Sequence, residues 1–318
     1  MITSARLVET PLAFPALTGM TRDEFDRRFA DYAAAAAAHR AARTHTKRDT
    51  RPLRRAAGAG RRHDLDPRTR LPVALAWLRV YPTYELLGHL FGLDKSNAWH
   101  NTRDALEVLA TMADSPFDPP PTGRARLTTA DQVMDTHPAV RAVIDGEEQA
   151  GRRPAGWENQ KPFYSGEKRR HTIKNQVVCT PSGRIGAVSP TVPGRAADLT
   201  LLRLDRPLDR LPAGAGVMAD KAYLGVGADP GAAGRVVAIP TRAAKNRPLA
   251  GDQKTANRCI NRERVVVEHV MAQRNRFQVL RQTFRGVFGR HTRVFRVVAL
   301  VVDRRTAATP LKTDPTAA

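Results

Sequence analysis

The chain is 318 residues long, with 52 Lys and Arg against 31 Asp and Glu, a formal charge of +21 and a pI of about 11.1. A field of that sign draws polyanions, nucleic-acid phosphate first among them, through contacts that weaken steeply with salt; a generally basic composition with no such partner is the competing reading. An apolar share of 42% supports a sizeable core and two domains, and the two cysteines, Cys179 and Cys259, exclude a disulfide framework and a CxxC metal ribbon. With no stretch long enough to cross a bilayer, a cytoplasmic, nucleoid-associated protein with no membrane partner is expected.

Thr21-Arg-Asp-Glu reads as a helix start and Tyr32 to Ala42 as an alanine-rich helix. His45 to Arg70, crowded with Arg, Lys and Gly, reads as a mobile basic loop. A second helical block begins at Leu71, with Trp77 and Leu78 in its core. Thr83 can cap a short helix, Gly92 can end it left-handed, and Asp94 or Ser96 can cap the next, which makes a helix-turn-helix near residues 83–110. Its second helix would enter a DNA major groove and offer Lys95, Asn97, His100, Asn101 and Arg103; a helical hairpin that binds nothing is the alternative. Residues 1–113 then form an all-α DNA-binding domain, and the proline-rich stretch 114–127 is a linker.

From 128 to 305 an α/β domain is expected. A strand ends at Asp145, and Arg170–Thr180 and Arg184–Pro190 make an antiparallel hairpin around Pro181-Ser-Gly. A short helix over Ala196–Leu204, strands at Gly216–Ala219 and Val236–Pro240, and a long helix from Gly251 to about Leu280 follow, then a disordered tail over 306–318. Asp145 in Ala-Val-Ile-Asp-Gly, Asp220 in Met-Ala-Asp-Lys-Ala-Tyr and Glu268 in Arg-Val-Val-Val-Glu-His fall in the order of a ribonuclease-H-like domain with a mixed sheet. There, distant carboxylates can converge at one end of the sheet and hold Mg²⁺ or Mn²⁺, two ions about 3.5–4 Å apart, for phosphodiester chemistry. Taken singly, Asp145 can begin an Asp-Gly turn, Asp220 can cap a helix, and Glu268 can pair with Arg264 one turn away. The basic run Lys168, Arg169, Arg170, with Lys174, is a candidate phosphate contact or a solvated hairpin face, and Trp157 and Tyr164 can stack on bases or pack. Asp198 most simply caps the helix that follows it.

Leu-Arg-Val-Tyr-Pro-Thr-Tyr-Glu-Leu-Leu-Gly from Leu78, Val143-Ile-Asp-Gly, Tyr164-Ser-Gly-Glu-Lys-Arg-Arg-His, Pro193-Gly-Arg-Ala-Ala-Asp, Met218-Ala-Asp-Lys-Ala-Tyr and Arg264-Val-Val-Val-Glu-His form an ordered set of blocks. In them the chain from Leu71 to about Val302 resembles the insertion-sequence transposases of the DDE superfamily, in the fifth-group, Harbinger-like branch with an N-terminal helix-turn-helix. The resemblance implies that Asp145, Asp220 and Glu268 are the catalytic, metal-holding acids. It implies double-stranded DNA as partner, both the element's terminal inverted repeats and the target, cut and then joined by a homodimer or larger assembly. The family's usual Tyr, Lys and Thr are replaced here by Asn261, Asn275 and Glu147, and Arg264, Arg274 and Arg276 are left as candidate phosphate contacts. An inert transposase-derived DNA-binding protein, and a nuclease of the same fold that cuts without joining, are the competing readings.

Overall fold

A computed structural model describes residues 12–50, 65–113, 141–211, 214–245 and 248–308. They fall into two compact units, one drawn from Met1–Ser115, Arg276–Val279 and Arg296–Val298, the other from Pro116–Asn275, Leu280–Phe295 and Ala299–Ala318. The linker expected at 114–127 lies outside the described residues.

The first unit contains helices α1 (Ala13–Thr18), α2 (Arg22–Thr50), α3 (Pro67–Val80), α4 (Tyr84–Phe91) and α5 (Lys95–Ala113). Thr21 opens α2 with a reciprocal cap: its Oγ1 accepts from the Glu24 amide at 3.2 Å while Glu24 Oε2 accepts from the Thr21 amide at 2.8 Å. Because α2 runs to Thr50 and α3 starts at Pro67, the ends of the stretch expected to be a loop are helical, and its residues 51–64 lie outside the described set. Asp66 caps α3 by accepting from the amides of Arg68 and Thr69. Every residue of α3 from Arg70 to Leu78 is buried, so this helix is the axis of the unit, with Trp77 stacked on Tyr84. Thr83 Oγ1 accepts from the Leu86 amide, Gly92 ends α4 at φ 71°, and Asp94 Oδ1 accepts from the Asn97 amide at the start of α5. Each of these signals satisfies backbone groups that the helix ends would otherwise leave unpaired.

The second unit is a mixed sheet flanked by helices. Its strands are β1 (Arg141–Ala150), β2 (Tyr164–Ser165), β3 (Arg170–Cys179), β4 (Ile185–Val188), β5 (Val192–Pro193), β6 (Gly216–Ala219) and β7 (Val237–Ala238), in the order β2-β3-β1-β6-β7 with β4 and β5 on β3. β1 is antiparallel to β3 but parallel to β6, and β6 is parallel to β7. Its helices are α6 (Trp157–Gln160), α7 (Asp198–Asp205) and α8 (Gly251–Arg274), with half of α9 (Gln278–Arg281) and most of α10 (His291–Ala308), whose remaining residues belong to the first unit. Ile144, Val178, Val217, Ala219, Leu202 and Tyr223 anchor one core cluster. α8 packs on β1, β3 and β6 through buried Val266, Val267 and Val270, while Val265 is 39% exposed.

Several boundaries differ from expectation. β1 does not end at Asp145 but runs on to Ala150, because β3 continues to pair with it from Val177 to Thr172. α8 stops at Arg274 rather than near Leu280. The last helix reaches Ala308, past the expected end of the domain at 305, and 309–318 lie outside the described residues. No helix among the described residues is long and apolar enough to cross a membrane.

Candidate active site

β1 and β6 are parallel neighbours with Ile144 opposite Ala219, so Asp145 and Asp220, the next residue on each chain, arrive side by side. β6 ends at Ala219 while β1 runs on, so Asp145 stands mid-strand beside the carboxyl end of β6, and the carboxyl ends of strands in open α/β sheets are where sites form. Asp220 also serves as a cap: its Oδ1 accepts from the Ala222 amide at 2.7 Å and opens a short 3₁₀ turn over Lys221–Tyr223. The capping expected of Asp220 is thus present in a carboxylate that also stands beside Asp145. Asp145 is pushed up to about 6, chiefly by burial; the nearby charges of Asp220 and Asp198 add to the rise, and Arg264, with Nη2 3.6 Å from Asp145 Oδ2, opposes it.

Asp198 is not the cap expected of it. Ala197 is the cap residue of α7, and the Asp198 carboxylate turns inward to meet Lys174 Nζ at 3.2 Å. A side chain at Gly146 would collide with Asp198 Oδ1, so the glycine after Asp145 makes room for this close approach and does not form a turn. Tyr223 donates to Gln176 Oε1 across the same spot, and burial raises its phenol. Gln176 stands opposite Gly146 in the β1–β3 ladder.

Glu268 lies one turn beyond Arg264 on α8 and is exposed. Arg264 pairs with Asp145 across the helix–sheet interface, and its buried Nε has no hydrogen-bond partner among the described residues. Among those residues, no three His, Cys, Asp or Glu side chains stand close enough to hold a metal ion, so Asp145, Asp220 and Glu268 form no ready-made cage. The carboxylate oxygens nevertheless suit a hard divalent cation, since burial and, after it, neighbouring negative charge raise Asp145 and Asp198, and positive charge would relieve both.

Of the candidate DNA contacts, Lys168, Arg169 and Arg170 are exposed around the β2–β3 turn, and Arg276 is exposed. Lys95 is exposed beside Glu85, Asn97 donates to Asp94 Oδ2, His100 is exposed with its ring edge-on to Trp99, and Arg103 lies 4.7 Å over the Trp99 ring. Three expected contacts are corrected. Lys174 is buried and engaged by Asp198, Glu148 and the Ala196 carbonyl, and Asn101 is buried, accepting from the Leu65 amide and from Arg70. Arg274 is wholly buried, paired with Glu147 at 2.9 Å and set 3.9 Å from the centre of the Phe295 ring. None of these three is offered to a phosphate. The spacing carried a signal for two of them: Val267, Val270, Met271 and Arg274 share one helical stripe, as do Ala98, Asn101, Thr102 and Ala105.

The profile of the DDE superfamily endonucleases matches residues 144–302. The chain belongs to that family. The endonuclease is also similar to the probable transposase for insertion sequence element IS702 of Microchaete diplosiphon, at 27% identity over 243 residues, covering 74% of this chain and 78% of the relative. No solved structure matches it. As a DNA-cleaving enzyme of this family it has its matched segment beginning at Ile144, one residue before Asp145. Asp220 and Glu268 lie within the same segment.

Proposed function

We propose that this endonuclease is a DNA transposase of the Harbinger-like branch, which binds the ends of its own element, cuts them and joins the freed 3′ ends to a target. The observation that carries the reading is the adjacency of Asp145 and Asp220 on parallel strands, within a matched DDE segment and beside a helix bearing Glu268. The printed name of the relative supports the same direction. In this reading the sheet is ribonuclease-H-like, and Asp145, Asp220 and Glu268 hold Mg²⁺ or Mn²⁺, two ions. When bound, these ions supply charge neutralisation and activate the attacking oxygen. The protein's own groups position the strand. Asp220 is fixed by the Ala222 amide, and Arg264, beside Asp145 with an unpartnered Nε, is suited to receive a phosphate oxygen as the acids are neutralised. Lys168, Arg169, Arg170 and Arg276 contribute further phosphate contacts. α4 and α5 act as a helix-turn-helix, with Lys95, Asn97, His100 and Arg103 toward the element end. Pairing of two ends calls for a homodimer or larger assembly on DNA.

The test is cleavage and joining of a labelled duplex carrying the gene's flanking end, in Mg²⁺ or Mn²⁺, with wild type against Asp220→Asn. Metal-dependent nicking and strand transfer, both lost in the variant, are expected. Nicking without joining would reduce the protein to a nuclease, and tight binding with no cleavage in either metal would make it an inert DNA-binding protein.

A further inference from the structure

The segment of chain that links β1 to β3 carries aromatic rings that the proposed chemistry leaves unused. Trp157, at the start of α6, is 68% exposed and Tyr164 in β2 is 47% exposed, although rings of this size are ordinarily covered. Phe163 and Phe288 meet edge-to-face at 5.1 Å, with Phe288 itself 37% exposed, and Tyr164 stands edge-on to His171 at 5.7 Å. The segment is held in place: Tyr164 pairs with His171 and Ser165 with Arg170 in the β2–β3 ladder, and the Arg195 amide donates to the Pro162 carbonyl.

Its charge is one-sided. Residues 151–171 carry six Lys and Arg against two Glu, a net of +4. Lys161 Nζ lies 5.9 Å from the Trp157 ring, and Lys168 and Arg169 sit on the turn beside Tyr164. Arg169 adopts φ 51°, a left-handed conformation in which glycine or asparagine would cost less, so a guanidinium occupies this turn at a backbone cost.

We propose that Trp157, Tyr164 and Phe288, bordered by Lys168, Arg169 and Arg170, form a stacking surface for single-stranded DNA. The inference rests on the DNA-cleaving role proposed above and names a strand feature that role would meet. A duplex hides the faces of its bases, whereas an unpaired strand presents base faces and phosphates together, which is the combination that exposed rings among cations accept. The β-ladder sets the distance. Tyr164 is level with His171 and Asp145 with Val177, six residues apart on β3, so the surface lies about 20 Å along the sheet from Asp145 at roughly 3.4 Å per residue. That is the rise of about six nucleotides of one strand within a duplex.

The test measures fluorescence anisotropy of the full chain with a labelled oligo-thymidine strand and with a blunt duplex of equal length, in EDTA so that no cutting occurs. Trp157→Ala and Tyr164→Ala are each expected to weaken the single strand about 5- to 150-fold while moving duplex affinity less than about twofold, and Trp157→Phe is expected to retain most of the binding. Equal losses on both DNAs, no loss on oligo-thymidine, or preferential capture of a polyglutamate peptide would overturn the proposal. Asp220→Asn separates it from the transposase reading: that variant should lose cleavage and keep oligo-thymidine affinity. If wild type never cuts yet the Trp157 dependence stands, the transposase reading fails and the stacking surface survives.

Discussion

Removing Glu147 should destabilise the second unit more than removing Arg274, although the two are partners in one ion pair. Arg274 has no exposed surface, its Nη2 is 2.9 Å from Glu147 Oε2, and the Glu147 side chain keeps 20% of its surface in water. At that separation and an effective dielectric of about 20, the attraction is roughly 6 kcal/mol, much of which offsets the desolvation of the two charges. Arg274→Met leaves a carboxylate that water can reach, at a cost of about 3 kcal/mol. Glu147→Leu leaves a buried guanidinium supported, among the described residues, by Met271 Sδ and the Phe295 ring alone, at about 4–5 kcal/mol. Changing both together should return to within about 1 kcal/mol of wild type, since an apolar pair of similar volume replaces a buried ionic one. Urea and thermal unfolding provide the assay, with the Glu147→Leu midpoint falling by roughly 8–20 °C. Single changes costing less than about 1 kcal/mol, or a double variant showing the sum of both losses, would refute the reasoning.

Burial holds the Asp145 carboxyl up at about 6, so its protonated form stabilises the fold below the ordinary carboxylate range, and that contribution disappears as pH rises through about 6. Asp145→Asn should therefore stabilise the fold near pH 8 by on the order of 2–3 kcal/mol, read as a raised unfolding midpoint, and leave it nearly unchanged near pH 4; equal shifts at both would contradict this. His291 behaves oppositely: burial, with the Arg274 charge behind it, pushes its ring down to about 3. Its neutral form, bonded to Gln149 Oε1 and Thr191 Oγ1, stabilises the fold at neutral pH, and this is lost as pH falls from about 6.5 toward 3. Ring NMR should show no protonation of His291 near pH 5, and an ordinary titration there would sink the assignment. Gly194→Ala would drive a methyl into Thr172 Oγ1 and, at 2.8 Å, its backbone carbon. A loss of about 1–3 kcal/mol from overpacking is expected in thermal unfolding, and an unchanged midpoint would show that the β3–β5 pairing yields freely.

Local chemistry was the legible part of this chain. The caps at Thr21, Thr83, Gly92 and Asp94 were readable because each acts within one turn, and the hairpin around Pro181-Ser-Gly because its pairing is sequential. Asp145 and Asp220 could be singled out as acids, but that they stand side by side depends on a parallel pairing between strands some 70 residues apart, which periodicity does not encode. The Asp-Gly step at 145–146 pointed to a turn, and pairing with β3 overrode that preference. Basic side chains misled for a related reason. Lys174 and Arg274 look like surface cations until their partners, Asp198 with Glu148 and Glu147, are brought to them from elsewhere in the chain.

β1 alternates its attachments. Asp145, Glu147 and Gln149, on one face, reach Arg264, Arg274 and His291, while Gly146 and Glu148, on the other, meet Asp198 and Lys174. Two rungs of the first face grip the same helix on either side of Glu268, four residues before it and six after. The strand thus works as a toothed rack and α8 as the bar it indexes. A slip of one residue would turn every tooth to the wrong side, so the position of Glu268 relative to Asp145 is specified by contacts within the protein itself.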